Sequence, residues 1–127
     1  MNTKAINISI WIIQILMSLI FVIAAGVKIS MSYAEYVQMM PYAKDFPALA
    51  IKLIGITEIL GVIGLNLPFL MNKFKYLSPM AAFGLALTMI GAVVVHLNNN
   101  EPFVMQLVFL GMLSLVGIYR YKQLKQG

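Results

Sequence analysis

Ala48-Leu49-Ala50-Ile51-Lys52-Leu53-Ile54-Gly55-Ile56-Thr57-Glu58-Ile59-Leu60-Gly61-Val62-Ile63-Gly64-Leu65-Asn66-Leu67 sets one carboxylate near the middle of a stretch that is otherwise almost wholly apolar or small. As a helix rising about 1.5 Å per residue, this stretch spans the roughly 30 Å hydrocarbon core of a bilayer. Helix is the form open to it, because lipid offers no partner to an unpaired backbone N–H or C=O. Glu58 follows Ala48 by ten positions and so falls close to the bilayer midplane. Gly55 and Gly61, three residues to either side, let a neighbouring helix approach the same face. Glu58 is therefore expected to point into a bundle.

Three further stretches, residues 6–27, 77–97 and 103–119, have comparable length and apolarity. Only 10% of the 127 residues are charged and 61% are hydrophobic, with a mean hydropathy of +0.90. Soluble domains carry about 25% charged residues. The expectation is a single membrane domain over residues 1–127, all-α, a bundle of four transmembrane helices. With no cysteine, disulfides, thiolate metal sites and C-x-x-C redox pairs are excluded.

The net charge of +5 sits between and after the apolar stretches, so it reads as a topology signal and not as a nucleic-acid interface. Lys4, Lys73, Lys75, Arg120, Lys122 and Lys125 fall on one side. Lys28, Lys44 and Lys52 fall on the other, offset by Glu35, Asp45 and Glu101. By the positive-inside rule both termini are cytoplasmic, in a multi-pass protein of the cell membrane. Lys4, the apolar run after it and Ala24-Ala25-Gly26 also fit a secretory signal peptide. The run exceeds the roughly 7–15 residues of a signal core, so retention of this helix is expected.

The extracytoplasmic loop of residues 28–47 carries Ser32-Tyr33-Ala34-Glu35, a capping box in which Ser32 accepts from the Glu35 N–H and the Glu35 side chain returns to the Ser32 N–H. A short interfacial helix should follow and stop before Pro41. Its aromatic and methionine residues suit the membrane surface, as a lid or as an ordinary connector.

Small and polar residues mark expected packing faces: Gln14, Ser18, Phe21, Ala25 and Lys28 in the first stretch, Ala81, Gly84, Thr88 and Gly91 in the third, and Gly111, Ser114 and Gly117 in the fourth. The hydroxyls of Thr88 and Ser114 can return to backbone carbonyls and need no functional explanation.

An acidic side chain at a helix centre costs about 2.5–3.5 kcal/mol on insertion scales, so Glu58 must pair, hydrogen-bond or stay protonated. Its candidate partners, Lys28 and His96, stand about 15 Å higher by residue counting. Cα–Cβ bonds tilt toward each helix N-terminus, which brings Lys28 and His96 down and Glu58 up. All three converge on the outer half of the bundle, where Gln106 completes the lining. Each has a plainer reading: Glu58 as an internally satisfied carboxyl, Lys28 and Lys52 as snorkelling lysines, and His96 as a helix cap.

Ten methionines raise a copper or haem reading, but they are scattered and suit adaptable packing. A single histidine excludes bis-histidine haem within one chain, and no paired carboxylates suggest a di-metal centre. No metal or covalent cofactor is expected, and the residues define no catalytic set.

The run Ala24-Ala25-Gly26-Val27-Lys28, the run from Gly55 to Leu65 around Glu58, Ala81-Ala82-Phe83-Gly84-Leu85, Met89-Ile90-Gly91-Ala92, His96 and Arg120 together resemble the DoxX-like membrane proteins. The resemblance implies a four-helix membrane protein. Some members of that family are associated with quinone-linked respiratory or sulfur-oxidising enzymes, often as a small subunit, while most have no assigned activity, so the resemblance carries no reaction of its own. On the quinone-linked view Lys28, Glu58, His96 and Gln106 form a ligand pocket or proton relay for a quinone, beside a membrane oxidoreductase partner or a second copy in a homo-oligomer.

Two readings from other classes stand beside it. One is a small proton-coupled transporter. Small four-helix multidrug exporters keep their membrane glutamate in the first helix, where this chain has Gln14. The other is a structural or assembly subunit without catalysis.

Overall fold

The computed structural model describes residues 3–126 and is all-helical there. α1 spans Thr3–Ser30, α2 Tyr33–Met39, α3 Ala48–Met71, α4 Leu77–Asn98 and α5 Val104–Gln126, with a 3₁₀ helix, Pro41–Asp45, between α2 and α3. α1, α3, α4 and α5 are each long and apolar enough to cross a membrane. The chain is an integral membrane protein in contact with the lipid bilayer.

Prolines and a cap set the boundaries. Pro41 opens the 3₁₀ helix and Pro47 precedes α3. The end of α3 turns at Asn72, whose left-handed backbone (φ 58°) brings the following Lys73 N–H to the Pro68 carbonyl at 3.1 Å. Pro68 itself has no N–H to give to Gly64. One turn before it, the Leu65 carbonyl accepts from Gln14 Nε2 and Ser78 Oγ, so α1 and α4 both bond to this last part of α3.

Successive long helices pack side by side, α1 on α3, α3 on α4 and α4 on α5, while α1 touches α5 far less. The main core joins Ile10, Met17 and Phe21 of α1 to Leu65 of α3, Ala82, Leu85, Ala86 and Met89 of α4, and Leu113 and Val116 of α5. A second cluster joins Tyr36, Ala43 and Ile51, seating α2 and the 3₁₀ helix on the first turn of α3. This end of the bundle is called the lid end, and the opposite end the terminal end.

The short helix stops before Pro41 as expected, but the capping box closes differently. The Ser32 hydroxyl accepts from the Glu35 N–H at 3.3 Å, and the same hydroxyl, not the Ser32 N–H, meets Glu35 Oε1 at 2.8 Å. Both groups are exposed, and the freely turning hydroxyl reaches the carboxylate without constraining the backbone.

The small-residue faces divide. Gly55 abuts Ala25, Lys28 and Ile29 of α1, Gly61 abuts Leu85, Gly64 abuts Ala81, and Gly117 abuts Phe83. Gly84, Gly91 and Gly111 face open space, contrary to the expectation that their stripes meet neighbours. The reason is rotation about the helix axis. α4 turns Ser78, Ala82, Leu85, Ala86 and Met89 inward, which carries Gly84 and Gly91 to its outer side.

Candidate functional site

Gly55 explains how a lysine at the end of α1 meets a glutamate well inside α3. A Cβ at this position would lie 3.0 Å from the Ala25 carbonyl oxygen and 3.2 Å from Lys28 Cβ, so the two helices run in backbone contact here. Lys28 is thus level with Gly55, one helical turn above Glu58. The first turns of α3 stand beyond the end of α1, against the 3₁₀ segment, which residue counting from Ala48 does not reveal. Lys28 Nζ donates to Glu58 Oε1 at 2.6 Å. The Glu58 side chain is 2% exposed and that of Lys28 13%. A buried carboxylate in a low-dielectric interior requires such a partner.

The pair lies on the wall of a cavity of about 570 Å³ at the lid end. Lys28, Glu58, His96 and Gln106 all line it, so the structure brings the four residues singled out in the sequence to one chamber. The rest of the lining is largely apolar, including Phe21 and Ala24 of α1, Met89 and Ala92 of α4, and Phe109 of α5. The volume falls in the roughly 300–1,000 Å³ range of small-molecule pockets, and an apolar slot with a few converging polar groups is their usual form.

His96 does not pair with Glu58. Its Nδ1 lies 3.0 Å from Glu101 Oε1, off the line of a good hydrogen bond, and its Nε2 lies 3.4 Å from Gln106 Nε2. The chain turns sharply after α4, with the Glu101 N–H bonded to the His96 carbonyl at 2.8 Å, and this holds the carboxylate beside its own ring. Lys52 is exposed, and its ammonium donates to the Ile29 carbonyl at 3.1 Å, at the end of α1.

The lid supplies residues that sequence reasoning did not assign to the site. Tyr36, Met40, Tyr42 and Phe46 line the cavity. The Tyr36 and Tyr42 hydroxyls are 2.6 Å apart, and Tyr42 sits 5.7 Å from the His96 ring, centroid to centroid. Tyr33, outside this lining, donates to the Phe46 carbonyl at 2.7 Å and staples the segment shut. Burial first, then the hydrogen bond with Tyr36, raises the Tyr42 phenol well above its usual range, so it remains a neutral donor and acceptor. The clue was the cluster of tyrosines after Ser32, read only as interfacial.

A second polar cluster occupies the terminal end. Arg120, taken from sequence as a topology signal, is fully buried. Its Nε donates to Gln14 Oε1 at 3.0 Å, and its Nη1 donates to Asn7 and Gln123. The guanidinium lies 4.8 Å from the Trp11 ring centre and 4.5 Å from that of Phe69. Gln14 Nε2 also meets Asn66 Oδ1, and Asn66 in turn donates to Ser18. The network is built of amides and hydroxyls around one cation. Asn66, which stood unremarked within the α3 stretch, was its legible sign.

Among the described residues, no group of three or more histidine, cysteine, aspartate or glutamate side chains is placed to hold a metal. Comparison with curated proteins and with solved structures finds no match. The model of the DoxX-like family matches residues 12–118, from within α1 to within α5. That stretch includes both halves of the Lys28–Glu58 pair and the whole chamber around them, and the chain belongs to the DoxX-like family.

Proposed function

We propose that the protein is a membrane subunit that binds a quinone or a similar apolar small molecule in the chamber beside Glu58 and assists proton transfer for a partner oxidoreductase. The observation that carries this reading is the Lys28–Glu58 pair at 2.6 Å on the wall of an apolar cavity of about 570 Å³. Ionisable groups inside a membrane are expensive and mark ligand or proton pathways by default. A quinone head presents carbonyl oxygens that accept hydrogen bonds, and its reduction consumes protons that a carboxyl can pass on. Lys28 can donate to such an oxygen, and the neutral phenol of Tyr42 and the amide of Gln106 add further hydrogen-bonding capacity. With the basic terminal end cytoplasmic, the chamber faces the outer leaflet.

The experiment is native mass spectrometry of the protein extracted with its lipids, for the wild type and for Glu58→Gln. The expected result is a retained quinone or protein partner in the wild type, with loss of the quinone in Glu58→Gln at unchanged helicity. Wild-type protein free of quinone, together with activity of the associated enzyme that Glu58→Gln leaves intact, overturns the reading. Proton-coupled uptake into vesicles that depends on Glu58 is the result that supports a transporter. A redox partner that co-purifies and works equally well with Glu58→Gln supports an assembly subunit.

A further inference from the structure

The chamber reaches the molecular surface at two places. At the lid, Met40 lines the cavity and is 39% exposed. On α4, Gly91 lines the cavity, is exposed, and has nothing within 4 Å of where a Cβ would stand. A residue that bounds a cavity and also lies on the outside of its helix marks an opening. Gly91 sits seven residues before the end of α4 at Asn98, about 10 Å inside by helical rise. Its exposed neighbours Leu87, Ile90 and Val94 are hydrophobic, so this opening meets hydrocarbon and not water.

The seam between α3 and α4 supports the same reading. Toward the terminal end it is closed, with Gly61 packed on Leu85 and Gly64 on Ala81. Toward the lid end, Ile54 of α3 and Thr88, Gly91 and Val95 of α4 border the cavity instead.

We infer that the chamber opens sideways into the bilayer between α3 and α4 at Gly91, and that its ligand is a membrane-borne amphiphile whose oxygen-bearing head reaches Lys28 and Glu58 while its apolar tail leaves through this gap. The inference rests on the proposed ligand chamber and adds the route and the form of the ligand. At the gap, Ile54, Gly91 and Val95 offer a tail hydrocarbon and backbone, and the Thr88 hydroxyl there donates to the Gly84 carbonyl at 3.2 Å.

The test uses the full chain in lipid nanodiscs and two ubiquinone analogues with the same head, one carrying a decyl tail and one carrying none. Bound analogue is measured by mass spectrometry at a series of concentrations. Gly91→Phe, with room for its ring, is expected to weaken binding of the tailed analogue by about tenfold or more through displacement of buried methylenes, and to leave the tailless one nearly unchanged. Gly111→Phe, at an equally open glycine outside the cavity, is expected to change neither. Gly91→Leu serves as a smaller block, and helicity with monodispersity confirms folding. Unchanged binding of the tailed analogue in both Gly91 variants overturns the side opening and leaves the chamber standing, as does equal loss of both analogues. A wild type that binds neither analogue overturns the chamber and this inference together.

Discussion

Arg120 Nε and Gln14 Oε1 lie 3.0 Å apart at the seam of α5 and α1, with the arginine fully buried and its guanidinium close to the rings of Trp11 and Phe69. Gln14 meets three demands at once, because its amide also serves the Leu65 carbonyl and Asn66. Gln14→Leu keeps most of the volume and removes all of these bonds. Hydrogen bonds to charged groups contribute about 1.5–3 kcal/mol, and the loss should be of that order or larger. Thermal unfolding in detergent, followed by circular dichroism, should show a clear fall in midpoint. A midpoint equal to wild type would mean that the cluster bears no load.

The Lys28–Glu58 pair should be strongly coupled. Removing one member leaves the other buried and uncompensated, a penalty of about 3–5 kcal/mol for buried pairs. Lys28→Met and Glu58→Gln should each destabilise more than half as much as the double variant, so that their effects are far from additive. A double-mutant cycle on unfolding measures the coupling, and additive effects would contradict a formed pair.

Tyr42 should ionise late. Its phenol is held above the usual value of 10.0 by burial and by Tyr36, so the folded state keeps a proton that the unfolded chain gives up. The stability that this contributes is fully present below pH 10.0 and is lost as pH rises above it. Ultraviolet titration should reveal a tyrosine that resists ionisation until the lid loosens, absent in Tyr42→Phe. A titration in which all tyrosines ionise together near the ordinary value is the contrary result.

Glycines on different helices of the bundle should respond with opposite sign. Gly55→Ala drives a methyl group to 3.0 Å from the Ala25 carbonyl oxygen, a backbone atom that cannot step aside, so α1 and α3 must separate and stability must fall. Gly84→Ala and Gly111→Ala add a methyl group to open space and gain about 0.5–1 kcal/mol from reduced backbone freedom in a helix. Unfolding midpoints of the three variants give the comparison directly.

The helices were legible because crossing oil demands long apolar runs, and the Glu58 site was legible because a carboxylate in such a run demands a partner. Lys28 was legible, together with His96, as a candidate partner through side-chain direction, although which of the two pairs and the level at which Lys28 meets α3 were not. That level depends on how far α3 stands beyond α1, a tertiary offset that no local pattern encodes. Burial of Arg120 was hidden by its position after an apolar run, where cationic residues usually meet water. Gly84 and Gly91 shared the spacing of packing glycines, but spacing fixes only that residues share a face, and the rotation of α4 decides which way that face looks.

The hydrogen bonds that join α1 to α5, from Arg120 to Gln14 and Asn7 and from Gln123 to Asn7, cluster at one extremity of these two helices. Two rods riveted at one end resist separation most at the rivet. Were the interior to swell, Lys28 and Gln106, toward the far ends of these two helices, would be freer to part than Asn7 and Gln123.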